Sequence, residues 1–283
     1  MISQKRQQGV TLIELLVVVT IITLLTAVGL PAFKALSKAF ESGNSVERMI
    51  NSMLAAARAT AIQDQRYVGV RFQKAFSADP LRASQYMILI ERDALSTGIE
   101  SGFKAIQGLK PVKLPDSVGV MDLNVATENR NRTWPEQSQY ESIDLDPDDP
   151  DGLLDEISEL WDVTTFSMVF SPQGHLVVHG VRVRNNTGKM DSDTSLSQDD
   201  VFNTLGQVQA GVAQFCQDDY FDEDGSDVVS GVGPEASRLS LVIYETAPLM
   251  EAFNRGVAWS GYLRLSQRRY GNRYTGALIT SKP

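Results

Sequence analysis

Two runs of the chain concentrate oxygen ligands. Glu141 to Asp162 holds ten Asp or Glu and no Lys or Arg, and Asp218 to Asp227 holds six acids in ten residues, ending D-E-D-G-S-D. Alternating carboxylates beside glycine suit Ca²⁺, which takes about six to eight oxygens at roughly 2.3–2.6 Å from a flexible loop. Asp144, Asp146 and Asp148 in the first run, and Asp222, Asp224 and Asp227 in the second, are the candidate ligands. Neither run is an EF-hand. Asp149 stands where that loop turns on glycine, and in the second run Asp222, Asp224 and Gly225 fit but Tyr220 occupies the first ligand position. The competing reading is a pair of solvated loops, because blocks of like charge repel and stay hydrated. No cofactor is required by any motif; calcium is the one candidate.

The opposite sign gathers at the carboxy terminus. After Glu251 there is no acid, while Arg255, Arg264, Arg268, Arg269, Arg273 and Lys282 are interleaved with Trp259, Tyr262, Tyr270 and Tyr274. Cations for phosphates with aromatics for bases would serve single-stranded nucleic acid. The same mixture serves a protein contact, where Arg and Tyr are both favoured. Arg264, Arg268, Arg269 and Arg273 are the candidate contact residues, with a neighbouring subunit or the acidic loops of this molecule the favoured partner over DNA. With 26 Lys and Arg against 35 Asp and Glu the net charge is −9, so any nucleic-acid role is local.

Enzymatic chemistry has little to work with. There is no glycine-rich phosphate loop and no G-x-S-x-G elbow. His175 and His179 fall in a strand-like stretch, about 13 Å apart at strand rise, too far to share one metal. Cys216 is the single cysteine of the 283 residues, which excludes an intrachain disulfide and a Cys-rich zinc site.

The element that must carry everything else lies at the amino terminus. After a polar stretch with Lys5 and Arg6 comes Gly9, then 21 residues, Val10 to Leu30, with one charge, Glu14. At about 1.5 Å per residue such a helix crosses a hydrocarbon layer roughly 30 Å thick. A secretory signal has a shorter apolar core followed by small residues at its cleavage site, whereas the small residue here precedes the run. Flanking charges leave orientation open, since Lys34 and Lys38 balance Lys5 and Arg6. An acid inside a membrane segment costs about 2.5–3.5 kcal/mol and is usually paired and functional. If the chain is cut after Gly9, Val10 gains an α-amino group four residues before Glu14. The amine of a neighbouring subunit could then neutralise Glu14 in the low-dielectric layer and fix the axial stagger between helices.

The helical pattern continues past Pro31, a predicted kink. Phe33, Leu36, Phe40, Met49, Ile50, Met53, Leu54, Ala57 and Ala61 recur at spacings of three and four, one apolar stripe on an amphipathic helix over 31–63 with Gly43-Asn44-Ser45 as a possible irregularity. Continuous from Val10, this rod would be roughly 80 Å long. From Tyr67 the period changes to two, and strands are predicted at 67–72, 86–92, 165–170, 176–184, 239–244, 261–265 and 277–280. The expected fold is α+β: a long N-terminal helix, transmembrane and then amphipathic, packed on a mainly antiparallel β domain over 64–283 that carries acidic loops at 141–162 and 218–227.

K-R-Q-Q-G-V-T-L-I-E-L-L-V-V-V-T-I-I, Lys5 to Ile22, resembles the amino terminus of a type IV prepilin or a type II secretion pseudopilin. The resemblance implies a leader of residues 1–9 removed by prepilin peptidase between Gly9 and Val10, methylation of the new terminus, and assembly through Glu14. It also implies inner-membrane insertion, a periplasmic carboxy-terminal domain, and other pilins or pseudopilins and their assembly platform as partners. Val10 departs from the Phe commonest at that position. Residues 55–70, A-A-A-R-A-T-A-I-Q-D-Q-R-Y-V-G-V, and 170–176, F-S-P-Q-G-H-L, are similar to segments of H-type minor pseudopilins and FimT-like minor pilins, with 102–162 resembling an insertion beyond the usual size. That branch includes DNA binders acting through carboxy-terminal basic residues; here G-A-L-I, 276–279, has no Arg directly after the glycine.

Overall fold

The computed structural model describes residues 43–77, 79–122, 159–187, 199, 201–218 and 235–280. The leader 1–9 with Gly9, Val10, Glu14, the apolar segment 10–30 and Pro31 lie outside the described residues, as do Asp144, Asp146, Asp148, Asp222, Asp224 and Asp227. Among the described residues no helix is long and apolar enough to cross a membrane. The chain divides into two compact units, Met1–Ser45 and Val46–Pro283.

Helix α1, Gly43–Asp64, buries Val46, Ile50, Leu54, Ala57 and Ala61 completely. Those spacings of four, four, three and four mark one helix face. The helix ends where Gln65 adopts φ 52°, its side-chain amide donating to the Ile62 carbonyl at 2.7 Å, which satisfies one of the carbonyls a helix end leaves open. The chain then enters β1, Val68–Lys74, the strand to which α1 is fitted.

β1 pairs antiparallel with β2, Gln85–Arg92, on one side and with β6, Phe166–Phe170, on the other. Side chains alternate across a strand. Val68, Val70 and Phe72 join Met87, Phe166, Met168 and Phe170 beneath α1 in one core. The reverse face is also covered: Arg71 and Gln73 are fully buried there. Its cover includes Phe202 and Phe215 from the parallel pair β9, Phe202–Asn203, and β10, Phe215–Cys216, packed with Ile88, Ile90, Phe103 and Val169.

The principal sheet runs β11-β8-β3-β2-β1-β6-β7, where β3 is Gly102–Ala105, β7 Leu176–Val177, β8 Gly180–Val183 and β11 Glu235–Ala236; β4, Val112–Lys113, adds to β2. Residues 176–184, expected as one strand, are two. β7 pairs with β6 and β8 with β3, and only Val178 and His179 separate them. Because two residues span little more than 10 Å of chain, the sheet must roll until its far strands meet. Ser237 closes the seam, its hydroxyl donating to the Val177 carbonyl at 2.8 Å and accepting from the His179 amide at 2.9 Å.

A second sheet, β14-β13-β12-β5, consists of β5, Val118–Met121, β12, Ser240–Glu245, β13, Arg268–Gly271, and β14, Leu278–Ile279. The strand expected at 261–265 is helical instead: Ala258–Gly261 and a 3₁₀ turn, Leu263–Leu265. Leu263 is buried and Leu265 is 80% exposed, so the alternation of G-Y-L-R-L faces no sheet. Within 102–122, β3, β4 and β5 are members of the sheets, and Leu114, Val118 and Val120 belong to the core under α1. The acidic run ending at Asp162 closes on a helical turn, Glu159–Val163, that buries Leu160 and Trp161. The described part is α+β with antiparallel pairing interrupted by parallel contacts of β3 with β8 and β9 with β10.

Candidate functional site

The sequence singled out four carboxy-terminal arginines, and the fold separates them. Arg268 and Arg269 are neighbours on β13, so their side chains leave opposite faces. Arg269 turns to α1, where its Nε donates to the Glu47 carboxylate at 3.1 Å. Arg268 and Arg273 instead line a groove of ≈ 530 Å³ together with Val178, Ser237, Leu239 and Tyr270. Arg264 is exposed on the 3₁₀ turn, away from that groove. Tyr274 is 68% exposed, its ring meeting His175 edge-on at 5.4 Å between centroids.

The Glu47–Arg269 pair belongs to a set of polar ties that fix the domain to α1. Asn51 Oδ1 accepts the Leu278 amide at 2.7 Å, and Arg58 Nε donates to the Gly174 carbonyl at 2.9 Å. With the buried stripe from Val46 to Ala61, these ties secure the helix and the sheets as one packed body, so a displacement of α1 carries the domain with it. Sequence periodicity marks the stripe and cannot mark the ties, whose partners lie more than a hundred residues away in the chain.

Asp218, Asp122 and Asp199 are buried and turn into the protein. Asp218, the first residue of the second run, turns into the protein: one carboxylate oxygen accepts from Arg71 Nη2 at 2.6 Å and the other from the Val183 amide at 2.8 Å. Its own amide donates to the Val183 carbonyl at 2.7 Å. Arg71 also donates to Gln73 Oε1 and Ser167 Oγ, and Gln73 Nε2 donates to the Cys216 carbonyl. Asp122 pairs with buried Arg238, and its amide donates to the Val163 carbonyl at 2.7 Å. Asp199 accepts the amides of Val201 and Asn186. Buried charges of this kind are stable only when paired, which is what these contacts supply.

Elsewhere Asp93 caps a short helix by accepting the amides of Leu95 and Ser96, and the Lys104 ammonium beside it holds its carboxyl well below the usual range. His179 packs on Tyr67 at 4.2 Å and His175 lies against Tyr274, so the two histidines serve separate aromatic contacts. Among the described residues no group of three or more His, Cys, Asp or Glu could hold a metal ion.

Beyond the described part, residues 4–30 match the prokaryotic N-terminal methylation motif. The chain carries a type IV prepilin-like signal. The matched stretch includes Gly9, Val10, Glu14 and the apolar run, and it indicates a type IV pilin-like precursor, processed by prepilin peptidase and assembled with other pilins. No curated protein and no solved structure matches the chain.

Proposed function

We propose that this type IV pilin-like precursor is an H-type minor pseudopilin of a type II secretion system. In this reading it sits in the inner membrane as a single-pass protein with its carboxy-terminal domain in the periplasm, and enters a short filament that supports protein export. The observation that carries the reading is the methylation motif over 4–30, with Glu14 five positions beyond Gly9 in an otherwise uncharged apolar run. Cleavage after Gly9 gives Val10 the amine that a neighbour's Glu14 needs, and the low-dielectric layer makes that pairing a rule of stagger. The polar ties between α1 and the sheets support a role in which force on the helix moves the domain as a unit. The protein acts by assembly and recognition, with no catalytic residue.

A second reading is a FimT-like minor pilin of a type IV pilus or DNA-uptake system. The groove that brings Arg268 and Arg273 beside Tyr270 favours it. Arg268→Ala with Arg273→Ala separates the two: salt-sensitive DNA binding by the full-length chain, lost in the variant, supports the pilus reading, and no DNA binding supports the secretion reading. For the assembly role common to both, Glu14→Leu is expected to be processed and membrane-inserted yet absent from filaments. Unimpaired incorporation of Glu14→Leu overturns the pairing.

A further inference from the structure

Lys74, the last residue of β1, is buried at 4% exposure, and its ammonium has one hydrogen bond, to the Ala83 carbonyl at 2.9 Å. No carboxylate among the described residues lies within ion-pair distance of it. The groups around it are already committed. Asp79 accepts the amides of Leu81 and Arg82 and bonds the Arg82 guanidinium at 3.5 Å. Asp116 is held by Lys113 at 2.8 Å and by the Ser84 hydroxyl at 3.0 Å. Gln85, opposite Lys74 in the sheet, spends its amide on the Val120 and Thr164 carbonyls and its oxygen on the Val120 amide.

Lys74 lines a cavity of ≈ 230 Å³ shared with Ser84, Asp116, Gly119, Tyr244 and Thr246. Tyr244 is 3% exposed overall, and its hydroxyl, which is not among the enclosed unpartnered side-chain atoms of the described residues, lies at the cavity. The ring tip fits because position 119 is glycine: a Cβ there would stand 2.3 Å from Tyr244 Oη. The cavity therefore brings together a buried ammonium with donors to spare and a phenol hydroxyl able to donate to an occupant. A buried ammonium without a counter-charge is costly to leave so.

We propose that this cavity binds a small organic carboxylate, with Lys74 Nζ as its counter-charge and Tyr244 Oη as a second donor. A carboxylate accepts from both groups and supplies the negative charge that Lys74 lacks. The volume lies below the roughly 300–1,000 Å³ of drug-sized pockets, so the ligand is an acid of a few carbons. In the empty cavity burial pushes the Lys74 ammonium down to about 8, against the pull of Asp79. Burial pushes the Tyr244 phenol up, which keeps it protonated as a donor. Ligand binding must then raise the Lys74 value and take up a proton above pH about 8.

The test is calorimetric titration of the full-length chain in detergent with acetate and with succinate at pH 7 and pH 10. Saturable binding of at least one acid is expected at pH 7, weaker by roughly 100-fold at pH 10 as the amine loses its proton. Lys74→Met should abolish it and Tyr244→Phe should weaken it several-fold, with circular dichroism confirming that both variants fold. If Lys74→Met does not fold, titration of the unmodified chain at pH 9 in buffers of different ionisation heat decides, with close to one proton taken up per ligand expected. No saturable binding, binding indifferent to pH, binding retained by Lys74→Met, or no proton uptake overturns the proposal.

Discussion

β1 faces two different kinds of neighbour. Towards α1 it shows Val68, Val70 and Phe72, which meet a helix face of aliphatic side chains and exchange no hydrogen bonds with it. Away from α1 it shows Arg71 and Gln73, which meet Asp218, Ser167 and the Cys216 carbonyl in a buried polar network. The first face is held by removal of apolar area from water, which is non-directional and tolerates repacking. The second is held by directional bonds that accept one register and leave a buried charge behind when broken. The helix side thus supplies adhesion, and the far side specifies where the chain returns at residue 218.

The contrast breaks first at Asp218. Asp218→Ala removes the carboxylate from a buried guanidinium, and a loss of about 3–5 kcal/mol is expected in denaturant unfolding of the full-length chain. Replacing both partners, Arg71→Met with Asp218→Leu, should recover much of that loss, because no charge is then stranded. A double variant less stable than Asp218→Ala would show that the network does more than neutralise Arg71. On the apolar face, Leu54→Ala should cost about 2–4 kcal/mol through lost burial and a residual cavity, and Leu54→Met under about 1.5 kcal/mol, since it conserves volume. The smallest effect belongs to Glu47 and Arg269, whose side chains are 23% and 20% exposed. A double-mutant cycle there should give a coupling of about 0.2–1 kcal/mol, declining with added salt.

What was legible in the sequence follows the same division. The stripe from Met49 to Ala61, the alternation of Val68, Val70 and Phe72, and the strands near 86–92, 166–170 and 240–244 were readable because burial on one face leaves a period. Arg71 gave no such signal: an arginine in an alternating strand reads as solvent-facing until a second layer is known to cover it. The same holds for Asp218, whose neighbours Asp219 and Asp222 placed it in a charged run while its partner lies 147 residues earlier. The segment 261–265 failed for the opposite reason, a period of two with no sheet to receive it. β3 and β5 are four residues each, too short for periodicity to register. Of the candidate site residues, Gly9, Val10 and Glu14 fall inside the matched stretch 4–30, which is legible because its residues are contiguous in the chain. The four arginines were legible as a cluster but not as a site, since the alternation of β13 sends Arg269 to Glu47 and Arg268 to the groove.

On the proposed function, the working form of the chain begins at Val10, with the new amine available to a neighbour's Glu14. Intact-mass measurement of the protein recovered from its native membrane, alongside a Gly9→Val variant, tests it most directly. Loss of residues 1–9 from the natural chain is expected, with the mass of 10–283 or that mass plus one methyl group, and an uncut variant. A natural chain that retains Met1, or a Gly9→Val variant cut to the same mass, would contradict it.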